Sequence, residues 1–363
     1  MTVIDTDSHL REEYFLDEVF RLEGEFADKT PRKVKAGEIP EDNEFEYEFH
    51  PWTKAEDKAY GHHWIYHPKH KWLGGEIAER QIGGWDMDVR VQHNAEARID
   101  KQFLFPTGIT TPALYEGPLG GALCRAYNNW ARELVRGKET QLYPVGIMPA
   151  GHPESMPAEA ERCVKELGFK ALHLACFTKS RTMDDEAYHP FYETAERLGV
   201  PLFCHPNSRG PSQSKFRSFY PIHVLGRPFN CAMALIALTV GGVFEKFPGL
   251  KVSFFECSAE YPLYWMHRID DDYDYMRHDF CSLKRNPSEW VRTNCYFTCE
   301  ADELPMTNTI EQIGADHILF ASDYPHFDSE YPDTVKTIAA RKDITPKQAE
   351  MILGRNAEAL LNL

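Results

Sequence analysis

The 363-residue chain reads as an α/β protein of the (β/α)8 TIM-type barrel class, with a long insertion after the first strand and a closing C-terminal helix. Three observations predict it. Eight short runs rich in apolar, β-branched and aromatic residues recur along the chain, and stretches of helical periodicity lie between them at βα spacing. Several runs also end in His, Asp or Glu, and the C-terminal strand ends are where a barrel of this class displays its chemistry.

The strands are expected at "TVIDTD" (2–7), "KQFLFPT" (101–107), "QLYPVGIM" (141–148), "FKALHLA" (169–175), "VPLFCHP" (200–206), "KVSFFEC" (251–257), "TNCYFTC" (293–299) and "HILFASD" (317–323). Helices are expected at 118–136, 154–167, 186–198, 231–246 and 330–341. The last segment, "TPKQAEMILGRNAEALLNL", opens with a Thr cap and repeats apolar residues at helical spacing, so a closing helix is predicted on the outside of the barrel.

One domain, 1–363, accounts for the whole pattern, with 23–85 inserted as a lid or pocket wall. That insertion is too long for an ordinary loop and too aromatic for a disordered one. His62, His63, His67 and His70 lie in it without a fixed ligand spacing, and the aromatic residues of 45–72 read as hydrophobic contacts. "AMALIALTVGGVF" reads as a core helix, too short and interrupted to cross a membrane.

Lys plus Arg number 40 against 56 Asp plus Glu, a formal charge of -16, which disfavours nonspecific binding to nucleic acid. The nine cysteines are scattered with no C-x-x-C pair, which argues against a disulfide framework and against a structural zinc module. With no signal-like N-terminus, a cytoplasmic protein with no membrane partner is expected.

The polar strand ends carry the functional signal. Asp7 and His9 are two residues apart and point to one side of an extended strand. His205, Glu256 and Asp323 end strands 5, 6 and 8. Histidine with carboxylate is ligand chemistry for Zn²⁺, Mn²⁺ or Fe²⁺. The competing explanation is a set of hydrogen-bonded strand ends and helix caps.

"VIDTDSHL", "LFCHPNS", "GGVFEKFPGLKVSFFECSAEYPLYWMHRID" and "ILFASDYPHFD", in this order, resemble the amidohydrolase-related family that contains aminocarboxymuconate semialdehyde decarboxylase and the hydroxybenzoate-type decarboxylases. The resemblance runs from residue 1 to "ILGRNAEALLNL", with 23–85 poorly matched. It implies one divalent ion, zinc first, with Asp7, His9, His205 and Asp323 as ligands, and a homodimer. Glu256 stands where the muconate enzyme carries a His after strand 6.

Two reactions fit such a site. One is nonoxidative decarboxylation of a small, anionic aromatic or cyclic carboxylic acid. The other is hydrolysis of a cyclic amide, lactone, ester or vinylogous C–C bond by metal hydroxide. Glu256 is the candidate acid, base or ligand, and Asp323 can act from the ligand set. Arg90, Arg209 and His326 are candidate substrate contacts, since an Arg fork matches a carboxylate. An inactive barrel serving as a binding protein is the reading from another class.

Overall fold

Eight parallel strands, each three to five residues long apart from a two-residue first strand, line up in chain order in the structure, a computed structural model that describes residues 1–12, 16–19, 21–22, 24–29, 80–107, 115–206, 219–278 and 283–363. They are β1 Ile4–Asp5, β2 Lys101–Leu104, β3 Leu142–Pro144, β4 Leu172–Leu174, β5 Leu202–Cys204, β6 Val252–Phe254, β7 Cys295–Cys299 and β8 Ile318–Phe320. All eight lie inside the expected runs.

Strands β1–β3 and β4–β8 pair within themselves, in registers such as Phe103↔Tyr143 and His173↔Phe203. Bridges at Gly146↔Leu172 and Ser8↔Tyr324, with Thr6 N donating to Phe320 O at 2.9 Å, join the two parts into a closed barrel.

Alternation places the side chains. Phe103, Phe105, Phe203, Phe255 and Leu319 fill the interior as one buried cluster. Leu202 and Cys204 face outward, into the cluster formed with the surrounding helices. His205, two residues after Phe203, therefore emerges on the inner face at the barrel's mouth.

The helices longer than one turn are α1 Met87–Ala97, α2 Pro118–Leu134, α3 Met156–Lys165, α4 His189–Leu198, α5 Phe219–Thr239, α6 Tyr261–Met276, α7 Pro287–Asn294, α8 Thr307–Ile313 and α9 Thr334–Ala340, then a closing segment; single turns lie at Leu16–Val19 and Val243–Lys246. Helix α1, which the periodicity did not mark, is started by Asp86, whose carboxylate accepts from Asp88 N and Val89 N, and is stopped by Arg98 in the left-handed region.

Helix α5 begins twelve residues before the expected 231, running through Pro228. The stretch His223–Lys246 is long and apolar enough to cross a membrane by length and composition, contrary to the expectation, but half of it is buried inside the protein. Cys231, Ala234, Leu235 and Leu238 supply that burial, as a core helix requires.

The closing segment comprises α10 Pro346–Glu350, a π-turn Met351–Arg355 and α11 Asn356–Leu361. Thr345 and Gln348 form a reciprocal capping box at its start. Only its first half packs outside the barrel, where Ile352 and Leu353 meet Ile318 and Phe320. Ala357 and Leu361 join the interior cluster instead, so the segment also closes the barrel floor, with Asn356 Nδ2 donating to Ala315 O and Ile318 O, both at 2.7 Å. Gly354 permits the crossing, because a Cβ there would lie 1.9 Å from Thr2 O.

Of the 23–85 insertion, residues 30–79, including the four histidines, lie outside the described residues. Its return is held at the mouth: Arg80 Nη1 donates to Ser329 O at 3.0 Å and Gln81 Nε2 to Pro325 O at 2.5 Å.

Candidate metal centre

The mouth brings together strand ends that are far apart in sequence. Strand β1 leaves its ladder at Asp5, and the chain continues between the ends of β2 and β8, with Asp323 N donating to Asp7 O at 3.0 Å and His9 N to Tyr324 O at 2.6 Å. Asp5 does not join the cluster. Its carboxylate accepts from Gln102 Nε2 at 2.7 Å and from Ser322 N and Oγ at 2.9 and 2.5 Å, so it clamps β1 to β2 and β8. Burial raises its pKa to about 6 against these hydrogen bonds.

His9 Nε2 stands 3.6 Å from Asp7 Oδ1 and 3.3 Å from Asp323 Oδ1. His205 Nε2 stands 3.9 Å from Asp7 Oδ1 and 3.8 Å from Glu256 Oε1. Asp7, His9 and His205 ligand atoms lie within 4.8 Å of one another, as do those of His9, Glu256, Asp323 and His326. The predicted set Asp7, His9, His205, Glu256 and Asp323 thus converges in one buried cluster.

Each imidazole is fixed in one tautomer. Nδ1–H of His9 donates to Pro106 O and that of His205 to Pro206 O, both at 3.1 Å, which leaves each Nε2 a bare acceptor turned into the cluster. These two Nε2 atoms and both oxygens of Asp7 are buried and have no hydrogen-bond partner. Such atoms are costly unless a positive group meets them.

The electrostatics point the same way. Burial, then the charges of Asp323, Glu256 and Asp5, push Asp7 well above the usual carboxylate range. Burial and the neighbouring His326 lower His9 to about 4, and burial and His9 hold His205 well below its ordinary value. Burial opposes ionisation of Asp323 too, but the His326 and His9 rings outweigh it and hold that carboxyl well below its usual value. Neutral imidazoles facing crowded carboxylates are a donor set that could hold a divalent cation.

Glu256 and Asp323 both leave their strands with left-handed backbone, φ 52° and 53°, two of the five described non-glycine residues with positive φ. This costly conformation turns each carboxylate back over the mouth. Burial raises Glu256 well above the usual carboxylate range, opposed by Arg227 and reinforced by Asp323.

His326 Nδ1–H donates to Asp323 Oδ1 at 2.7 Å, and its ring stacks on His9 with centroids 4.1 Å apart. It therefore orients a carboxylate of the cluster and also borders the mouth. Arg209 lies outside the described residues.

Arg90 does not reach the mouth as a substrate contact, nor does it pair with Asp86 or Asp88 at the surface. It is fully buried, its Nε donating to Gly83 O at 2.6 Å and Nη1 to Ser8 Oγ and Gln102 Oε1 at 3.2 and 3.0 Å, while Nη2 donates to His9 O. Its guanidinium also lies 4.5 Å from the Tyr324 ring centroid. Helix α1 places it beneath the ligand strand, where Nη1 and Nη2 hold Ser8 and His9 while Nε ties in Gly83.

Arg227, on early α5, is the site cation that the sequence did not mark. Its Nε lies 2.9 Å from Glu256 Oε2 and its Nη1 3.2 Å from Asp328 Oδ2. An Arg in a stretch expected to precede the helix carries no sequence signal; the longer helix brings it to the mouth.

Comparisons with known proteins identify the family. The chain is 25% identical over 281 residues to a 2-amino-3-carboxymuconate-6-semialdehyde decarboxylase from Dictyostelium discoideum, covering 77% of each chain. It is 28% identical over 252 residues to a gamma-resorcylate decarboxylase from a Polaromonas species, covering 66% of this chain and 76% of the relative. A dihydroxybenzoic acid decarboxylase from Polaromonas, solved with manganese and the inhibitor 2-nitroresorcinol, superimposes with a TM-score of 0.71 at 23% identity, over 100% of this chain and 97% of the other. Residues 48–363 match the amidohydrolase family, and the chain belongs to that family.

Proposed function

We propose that this chain is a metal-dependent, nonoxidative carboxy-lyase acting on a small aromatic or cyclic carboxylic acid, with Asp7, His9, His205 and Asp323 holding one divalent ion. The observation that carries the reading is the convergence of four buried, unpartnered acceptor atoms, two on Asp7 and one each on His9 and His205. The decarboxylase relatives support the reaction class. Carboxylates and imidazoles accept zinc or manganese, zinc being the sequence expectation and manganese the ion in the Polaromonas structure.

Bound there, the ion supplies Lewis-acid polarisation and a fixed positive charge for an anionic substrate. The chain's own residues handle the proton. Glu256, whose carboxyl is pushed above the usual carboxylate range by burial and its acidic neighbours against the opposing charge of Arg227, has Oε2 turned to Arg227 and Oε1 toward the cluster. Glu256 Oε1 delivers a proton to the ring carbon that bears the carboxyl group, using a ring π pair for the new C–H bond; the C–C bond then breaks, its electron pair re-forms the ring π bond, CO2 leaves, and Glu256 is left as a carboxylate beside Arg227. His326 holds Asp323 in place during this step.

The same proposal includes a homodimer and a cytoplasmic location. Exposed Phe229 and Ile236 on α5, Val240 just after it and Tyr264 on α6 offer apolar surface for a second copy. Free, buried cysteines among the described residues, with Cys176 Sγ and Cys204 Sγ sharing a thiol hydrogen bond at 3.6 Å and no disulfide, suit a reducing compartment.

The test pairs elemental analysis of protein purified without added metal with a panel of hydroxybenzoates and other cyclic acids, scored separately for CO2 and for hydrolysis products. About one divalent ion per chain with CO2 release is the expected result. Metal with hydrolysis alone overturns the reaction, and absence of metal under every loading condition overturns the site.

A further inference from the structure

Glu256 is close enough to join the ligand cluster, and one of its oxygens is committed elsewhere. Its Oε1 lies 3.8 Å from His205 Nε2, and its nearer ligand atom is within 4.8 Å of those of His9 and Asp323. Its Oε2 lies 2.9 Å from Arg227 Nε, with both side chains mostly shielded from solvent. Arg227 is anchored in turn, since Nη1 lies 3.2 Å from Asp328 Oδ2 and that oxygen lies 3.4 Å from His223 Nε2. These contacts thus link the end of β6, helix α5 and the loop after β8.

A carboxylate beside two imidazoles and two other carboxylates is an ordinary metal ligand unless something opposes its rotation. We infer that Arg227 is a positioning residue that withholds Glu256 from the metal, keeping it as the proton-handling group rather than a further ligand. The inference rests on the metal-site reading above. Three features support it. The Arg contact is a charge-assisted hydrogen bond in a shielded site, where it is stronger than in water. The left-handed backbone at Glu256 fixes the direction from which the side chain leaves β6. The Asp328 anchor keeps the guanidinium from following if Glu256 rotates.

The experiment uses cobalt(II) as the probe, because its visible absorption reports coordination number without any turnover. Full-length wild type, Glu256→Gln, Arg227→Met, Arg227→Lys and the double variant Arg227→Met/Glu256→Gln are loaded and titrated, with circular dichroism confirming the fold. Glu256→Gln alone is expected to keep the wild-type spectrum. Arg227→Met is expected to show a weaker, higher-coordinate spectrum and to bind cobalt about tenfold more tightly. The double variant should return to the wild-type spectrum, since the added ligand is gone. Arg227→Lys, which keeps the charge and loses the fork, should fall between; it carries the test if the Met variant does not fold.

A changed spectrum in Glu256→Gln alone would mean that Glu256 is already a ligand and would overturn the inference. An unchanged spectrum in folded Arg227 variants would also overturn it. Wild type that takes up no cobalt would instead overturn the metal site, a failure separable from both.

Discussion

His9 Nε2 lies 3.3 Å from Asp323 Oδ1, although the two residues are at opposite ends of the chain and each is held by a different neighbour, His9 by Pro106 O and Asp323 by His326. The contact joins the first and last strands of the barrel at the point where the metal is proposed to bind. Replacing His9 or His205 by Ala should lower metal affinity by at least ~100-fold, above the usual loss of an outer-sphere partner. Competition titration with a chromophoric chelator measures it, and undiminished uptake by either variant would remove that residue from the ligand set.

Metal should also stabilise the fold, because it meets atoms that are otherwise buried without partners. At a free concentration 100 times the dissociation constant, the gain is about 2.7 kcal/mol. Thermal melts with zinc, manganese and a chelator read this directly. A melting temperature that ignores all three additions would contradict the site.

Arg90→Met should destabilise the protein by about 1–3 kcal/mol, the usual cost of leaving a buried polar group without its partner. It strands acceptors at Gly83, Ser8, Gln102 and His9. Urea unfolding checks the loss. A stable variant with only a raised KM would restore Arg90 to the substrate contacts.

Glu303 gives a pH prediction away from the ligands. Burial raises its pKa from 4.5 to about 8, against hydrogen bonds donated by Glu300 N and Ala259 N. The folded chain therefore holds this proton more tightly than the unfolded chain does. Its stabilising effect is complete below pH 4.5 and is lost as pH rises through about 8. The pH slope of unfolding free energy over that window should be shallower in Glu303→Gln than in wild type, whatever the variant's absolute stability. Parallel slopes would refute the assignment.

The eight described cysteines are all buried and free. A thiol reagent added to native protein should modify at most Cys281, which lies outside the described residues, and should reach all nine only after denaturation. Rapid labelling of several thiols in the native state would show that the packing around α5 opens readily.

The sequence by itself determined the strand count, the order of elements and the identity of the cluster, because these depend on local pattern. Alternation along a strand places Phe203 and His205 on one face whatever the neighbours do, and a polar residue ending an apolar run marks the strand's exit. The resemblance in motif order added the ligand expectation and the reaction class. Tertiary structure decided the roles of residues whose environment comes from elsewhere in the chain. Asp5 has the same spacing to Asp7 as Asp7 has to His9, yet Ser322 and Gln102 make it a clamp. Arg90 has the fork that suits a substrate carboxylate, yet a helix that the periodicity did not reveal buries it under β1. Arg227 reaches Glu256 because α5 extends through Pro228, a residue that read in isolation ends helices. Side-chain chemistry is fixed by the residue, but the charge, burial and partners that turn it into a ligand, a clamp or a positioning group come from segments distant in sequence.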